Sequence, residues 1–249
     1  MKIAICIKQV PDSWAEKKMA GGVLDRAGVD AVLNDLDEYA VEEALRIVEA
    51  NSPTKEAGEG SGHTITLISM GPERATEAIR KALSMGADDA ILVTDPSLAG
   101  SDALATSLVL SEVIKKGNYD LVLCGTESTD ARMSVIPAMI SQRLGWAQLT
   151  FAGKVAVNPA ANTVEIERVT EFGNQVMSAK FPAVLSVVEK INEPRYPSFK
   201  GIMAAKKKPI TNMSLADTGV GSSDVGSAAA WSNVKEALPR PPRGAGVKL

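Results

Sequence analysis

Short apolar runs alternate with segments of helical periodicity as far as residue 144. The apolar runs lie at 2–8, 64–70, 89–93 and 119–124, and they show little alternation of polar and apolar positions. This pattern is typical of parallel strands that helices cover on both faces. Apolar residues three and four apart follow each run, at 35–50, 73–85, 101–116 and in a segment ending near Leu144. The pattern predicts an α/β protein with an open, mostly parallel, twisted sheet and helices on both faces.

The pattern changes after Gln148. Three alternating segments separated by turn residues, at 152–158, 163–170 and 174–180, predict a small antiparallel hairpin excursion. A buried strand returns at 182–188, and a loop with a run of lysines follows. The remaining tail is rich in Ser, Gly and Ala, so we expect it to be extended or partly disordered, or to lie along a partner. We therefore divide the chain into an α/β unit (1–191), a loop (192–210) and a C-terminal arm (211–249).

Composition and charge exclude several functional classes. The 249 residues carry a net charge of −3, which gives no overall basic field for nucleic acid. Cys6 and Cys124 both fall in predicted strands, and we interpret them as reduced core residues. A single histidine, His63, argues against a zinc site or a catalytic triad. The apolar runs are too short for a signal peptide or a membrane span, so we expect a cytoplasmic protein without membrane insertion.

Groups that can hold a nucleotide follow several of the predicted strands. Ligands of parallel α/β sheets bind at the carboxyl ends of strands. The segment from Gly125 to Asp130 has a glycine and three hydroxyl groups before a helix, whose free N–H groups can bind phosphate. The alternative is that Ser128, Thr129 and Asp130 only cap that helix. Asn34 occupies a cap position and could also hydrogen-bond a base or ribose. The residues alone predict an α/β protein that binds a nucleotide.

Five segments resemble the beta subunits of electron transfer flavoproteins in order and spacing. They are IKQVPD at 7–12, LN at 33–34 with EYAVEEA at 38–44, MGPE at 70–73 with IRKALSMGAD at 79–88, the loop at 125–137, and NEPRYPSFKGIMAAKKK at 192–208. The resemblance runs from residue 2 to about residue 219 and returns weakly at 241–248. It implies an adenine nucleotide-binding fold of the α/β hydrolase-like (HUP) type.

The resemblance also implies a function. Such a subunit forms a heterodimer with an alpha subunit that carries the redox FAD. It supplies one wall of the flavin site, buries an AMP, and works as an electron carrier rather than as an enzyme. Electrons would come from acyl-CoA and related dehydrogenases of fatty acid β-oxidation, and would leave to a membrane quinone oxidoreductase.

Two groups of site residues carry over from the resemblance. The AMP pocket falls on Cys6, Asn34, Asp35, Leu36, Asp37, Met70, Gly125, Thr126, Glu127, Ser128, Thr129, Asp130, Ala131, Arg132, Met133, Ser134, Val135 and Ile136. The loop that docks on dehydrogenases contributes Arg195, Tyr196, Phe199, Ile202 and Met203. Phe199 occupies an apolar anchor position where leucine is usual.

Departures from the family pattern leave two alternatives open. Leu36 stands where relatives often have an aromatic residue beside the flavin, and Trp14 is a candidate substitute. Bifurcating relatives, which bind a second FAD in the beta subunit, usually read DGDTAQ where this chain reads DARMSV at 130–135. Arg132 in that segment could pair with a phosphate. We therefore expect AMP, with a bifurcating beta subunit or a nucleotide-sensing regulatory module as the alternatives.

Overall fold

The computed structural model describes residues 1–16, 18–53, 57, 61–236, 238 and 241. The strands are β1 (Lys2–Cys6), β2 (Gln9–Pro11), β3 (Met19–Ala20), β4 (Val23–Leu24), β5 (Ala31–Leu33), β6 (Thr64–Met70), β7 (Asp89–Val93), β8 (Leu121–Gly125), β9 (Ala147–Asn158), β10 (Thr163–Thr170), β11 (Gly173–Lys180), β12 (Ala183–Val187) and β13 (Ile210–Met213). The helices are α1 (Asp35–Asn51), α2 (Thr76–Met85), α3 (Ala103–Gly117), α4 (Ile136–Leu144), α5 (Phe199–Ala205), α6 (Leu215–Thr218) and α7 (Gly226–Ala229).

Nine strands form one large sheet in the order β11-β10-β9-β12-β8-β1-β6-β7-β13. Every neighbouring pair from β9 to β13 in this order is parallel. Strands β9, β10 and β11 form an antiparallel meander at one edge. The predicted fold class, a mostly parallel sheet with an antiparallel excursion, is confirmed.

Alternate residues of the central strand face two separate cores. Ile3 and Ile5 pack in the cluster that includes α1 and α2, whereas Ala4 and Cys6 pack in the cluster that includes α3 and α4. Each face of β1 is therefore covered by helices. This arrangement explains why the strand lacks a polar face and reads as an unbroken apolar run.

Strand β9 is longer than the sequence pattern predicted. Its first residues, Ala147–Leu149, pair with β12 in the parallel part of the sheet. Ala152 pairs with both β12 and β10, and the residues after it pair with β10 in the meander. Phe151 lies between the two parts with a φ of +61°, and its N–H donates to Ser186 Oγ (2.9 Å). One strand thus belongs to both parts of the sheet. The sequence pattern had instead indicated a boundary between these parts near Gln148.

Regular structure also continues through the segment predicted as a loop. Ser198 caps the helix α5 by accepting a hydrogen bond from the Gly201 N–H (3.0 Å), and β13 joins the sheet beside β7. The predicted recognition loop at 192–210 thus contains a helix, and the parallel sheet includes a strand beyond residue 191. The division into three parts remains a prediction.

The C-terminal arm lies against the chain's own α3 as far as residue 232. Asp102 caps α3 through the Ala105 N–H (3.1 Å) and also accepts hydrogen bonds from the backbone of Trp231 (2.9 Å) and Ser232 (3.2 Å). Most of the motif at 241–248 lies outside the described residues. Among the described helices, none is long and apolar enough to cross a bilayer.

Candidate functional site

The path of the chain through the sheet reverses at β1, which places a candidate ligand site at the carboxyl end of this strand. From β1 the chain proceeds to β6 and β7 on one side, and it then returns to β8 on the other side of β1. At such a reversal the connections leave in opposite directions, so a crevice forms between the two strand ends. Cys6 and Cys124, which are register partners, lie directly beneath it as buried free thiols.

Asn34 holds the loop that follows β8, although it stands at the N-cap position of α1. Its side chain is fully buried, and it makes no capping hydrogen bond. Instead Nδ2 donates to the Glu127 carbonyl (2.9 Å), and Oδ1 accepts from the Thr129 N–H (3.1 Å). The predicted cap position is confirmed, but the side chain does not supply the capping hydrogen bond. Because these atoms bond the loop, the direct effect of Asn34 is to fix the wall of the crevice.

Asp130 forms a buried ion-pair centre at the crevice. The helix α4 begins only at Ile136, so the prediction that Asp130 and its neighbours start or cap that helix is wrong. The carboxylate, 1% exposed, accepts from Lys8 Nζ (2.8 Å) and Arg26 Nε (2.8 Å). Burial alone would raise its pKa, but the charge of Lys8 and the hydrogen bonds from its partners lower the pKa to about 2. Two half-exposed cations thus surround one carboxylate, which leaves positive charge beside the crevice.

Asp37 of α1 lies buried at the carboxyl ends of β1 and β8, beside the same loop. Its carboxylate accepts from the Lys8 N–H (2.8 Å), and it also receives hydrogen bonds from the Asn34 side chain and the Gly125 N–H. Burial outweighs these hydrogen bonds and raises the pKa of Asp37 to about 7. The crevice floor therefore holds a carboxyl group that titrates near neutral pH.

The loop between β8 and α4 folds around Glu127. Ser134 Oγ donates to Glu127 (2.9 Å), and Arg132 forms a longer ion pair with it (3.4 Å). Arg132 and Ser134 have φ values of +49° and +55°, which turn the backbone sharply ahead of α4. The Arg132 guanidinium remains largely exposed, so it is free to meet an anion.

The structure brings most of the predicted nucleotide residues to one crevice. Cys6, Asn34, Asp37 and the loop from Gly125 to Ile136 meet there, and Met70 ends the adjacent strand β6. Asp35 faces solvent near Ser13 instead. Sequence reasoning missed Lys8 and Arg26. Lys8 gave a signal, because it ends the first apolar run, whereas Arg26 lies in an irregular stretch without one.

The predicted docking residues fall into two groups. Tyr196 and Phe199 are 95% and 81% exposed, and Ile202 and Met203 share the solvent face of α5 with Phe199. We call these four residues the apolar face. Arg195, by contrast, is held by Glu42 (2.7 Å) and Glu49 (2.6 Å) of α1. Its guanidinium ties this segment to the α/β unit, and its role in docking remains a prediction.

Trp14 stands at a separate surface feature. Its side chain is 95% exposed, and it borders a depression of about 400 Å³ that Leu33, Asp35 and Ala78 also line. The aromatic ring is thus available to a partner group, and its contact with the flavin remains a prediction.

Comparison with known proteins agrees with this architecture. A family model described as the electron transfer flavoprotein domain matches residues 21–218. The chain is 48% identical to the electron transfer flavoprotein subunits beta of Mycobacterium bovis and Mycobacterium leprae, over 99% of this chain and 91% of each relative. It is 35% identical to the subunit beta of Megasphaera elsdenii, over 100% of this chain and 91% of that relative. The chain belongs to the electron transfer flavoprotein beta subunit family.

Proposed function

We propose that this chain pairs with an alpha subunit that carries FAD, binds AMP in the crevice between β1 and β8, and docks dehydrogenases through the apolar face. It then works in the cytoplasm as an electron carrier subunit, and the reduced complex passes electrons to a membrane quinone oxidoreductase. One observation carries the proposal. The residues that the family resemblance assigns to AMP converge on the crevice that the strand order creates independently.

The residues of the crevice fit a nucleotide monophosphate. Lys8, Arg26 and Arg132 supply positive charge for a phosphate, and their partly exposed side chains can approach it. Apolar groups of Met70 and Ile136, which pack in the neighbouring core, can contact a base. AMP would supply no redox chemistry here. Bound to the folded chain alone, it would stabilise that state by linkage.

The FAD of the partner supplies the electron-carrying ring. This chain's contribution is to cover one side of the flavin and to exclude water from it, as protein groups do around bound cofactors. The exposed ring of Trp14, beside the depression described above, is the aromatic group we assign to that contact.

Reconstitution tests the whole proposal. The purified chain should form a one-to-one complex with the alpha subunit and FAD. An acyl-CoA dehydrogenase with its acyl-CoA substrate should reduce that complex. A chain that binds nucleotide but neither joins the alpha subunit nor retains flavin would instead be a nucleotide-sensing module.

Replacing Phe199 with Ala should weaken docking by about 2 kcal/mol, because truncating a buried aromatic anchor carries a cost of this size. The KM of an acyl-CoA dehydrogenase for the reconstituted complex should rise roughly 30-fold, at unchanged flavin content. Steady-state reduction by an acyl-CoA dehydrogenase measures this. Phe172, exposed at the β10–β11 turn, is the matched control, and its replacement with Ala should leave KM unchanged. An unaltered KM for Phe199→Ala would remove the anchor assignment.

Replacing Asn34 or Asp130 with Ala should lower nucleotide content and thermal stability together. Asn34→Ala releases the backbone of the loop at Glu127 and Thr129, and Asp130→Ala leaves Lys8 and Arg26 without their shared carboxylate. Nucleotide released by denaturation and the Tm give the two readouts. Glu165→Ala, an exposed carboxylate on β10, controls for the loss of charge. Unchanged nucleotide content in both variants would place the site elsewhere.

A further inference from the structure

The helix α5 has two faces with different neighbours. Phe199, Ile202 and Met203 follow a spacing of three and four residues and point to solvent, whereas Gly201 and Ala205 lie four apart on the other side. A Cβ on Gly201 would lie 2.5 Å from the Ser84 carbonyl oxygen of α2. The absence of a side chain there allows α5 to contact the backbone of α2 directly.

The carboxyl ends of α2 and α5 exchange caps. Arg80 of α2 donates through Nη1 to the carbonyls of Ala205 (2.5 Å) and Lys208 (2.7 Å) at the end of α5. Lys208 returns the contact, because its Nζ donates to the carbonyls of Leu83 (3.2 Å), Gly86 (3.3 Å) and Ala87 (2.5 Å) at the end of α2. Each cation thus satisfies one carbonyl of a last helical turn, where a helix leaves carbonyls unpaired, and also bonds the backbone just beyond that turn.

This exchange separates Lys208 from the rest of the lysine run. Lys208 is half-buried, and burial lowers its pKa in spite of the nearby Asp88 carboxylate. Lys206 and Lys207 are exposed. The run at 206–208 therefore holds one cation that points into the protein and two that point to solvent.

A helix of seven residues is too short to be stable without tertiary contacts. We propose that Arg80 and Lys208 are positioning residues that lock α5 onto α2, so that the apolar face is formed before a dehydrogenase arrives. The proposal rests on the docking role given above. Its physical effect is to remove the cost of ordering α5 from the binding step. Neither cation needs to touch the dehydrogenase.

Hydrogen exchange on the reconstituted complex tests whether these two residues hold α5 on α2, independently of docking. Lys208→Met and Arg80→Met should each speed exchange of the α5 amides roughly tenfold or more, since each removes charged, part-buried hydrogen bonds to backbone carbonyls. Lys207→Met removes the same charge from the residue that precedes Lys208, and it should leave the exchange protection of α5 unchanged. Arg80→Lys keeps a cationic donor and should restore much of the protection. Unchanged α5 exchange in both methionine variants would overturn the proposal.

Reduction by an acyl-CoA dehydrogenase provides the functional readout. In Lys208→Met and Arg80→Met, KM for the complex should rise several-fold, with kcat and flavin content unchanged. If Phe199→Ala has no effect on KM, the proposed docking role of the apolar face is wrong. The exchange result still tests whether Arg80 and Lys208 hold α5 on α2. If Phe199→Ala raises KM but the two methionine variants do not, docking stands and the positioning role is wrong.

Discussion

Replacing Asp37 with Asn should raise the free energy of unfolding, relative to that of the parent, progressively as the pH rises from 4 to 8. The pKa of this buried carboxyl is raised from 3.8 to about 7, whereas in the unfolded chain it returns to its ordinary value. Between these values the folded chain holds a proton that the unfolded chain has released, so the parent's free energy of unfolding falls with pH. A shift of this size corresponds to about 4 kcal/mol across the window.

The asparagine does not titrate, so it removes this pH dependence. It also changes the hydrogen bonds to the N–H groups of Lys8 and Gly125, which adds an offset that does not follow the titration of Asp37. The informative quantity is therefore the difference between variant and parent, measured by chemical denaturation at several pH values. Asp35→Asn removes an exposed carboxyl from the same turn and reports the general effect of charge. A difference that stays constant from pH 4 to pH 8 would contradict the burial of a titrating Asp37.

Replacing Gly125 with Ala should destabilise the chain by about 3 kcal/mol, because overpacking of a fixed core costs this much. An added Cβ would lie 2.6 Å from Asp37 Oδ1 and 2.7 Å from the Leu36 carbonyl carbon and oxygen. Two of these three atoms are backbone, which a rotamer change cannot move. The loop after β8 must therefore shift away from α1, and nucleotide content should fall with it.

Gly71→Ala is the matched control for stability. It directly follows strand β6, and an added Cβ there would meet only the Ala75 Cβ, at 3.5 Å. That separation is an ordinary van der Waals contact. Denaturation midpoints of the two variants give the comparison. A Gly125→Ala chain as stable as the Gly71→Ala chain would show that the close approach of β8 to α1 is not required.

The fold was largely predictable because its parallel strands are buried on both faces. Ile3 and Ile5 face one core, whereas Ala4 and Cys6 face the other. The strand is therefore an unbroken apolar run in the sequence, a pattern that few other structures require. The short elements β13 and α5 were not predictable in this way. Their stability comes from pairing with β7 and from the exchanged caps with α2, which involve residues far apart in the sequence.

The location of the candidate site was predictable, but the contacts between its residues were not. The strand ends and the glycine at 125 indicated the crevice, and the family resemblance supplied the residue set. The partners of Asn34 and Asp130 could not be predicted, since both residues are common helix caps and nothing local distinguishes a cap from a long-range contact. Asn34 hydrogen-bonds a loop more than 90 residues away in the sequence, and Arg26 pairs with Asp130 across a separation of 104 residues.

Identifying the small molecule bound to this chain tests the central claim most directly. The chain should be purified without a partner and denatured, and the released molecules identified by mass and by absorbance. The claim predicts AMP without flavin, in near-stoichiometric amount. FAD released from the chain alone would contradict it and indicate a bifurcating beta subunit. Release of no nucleotide would contradict the assignment of the crevice between β1 and β8.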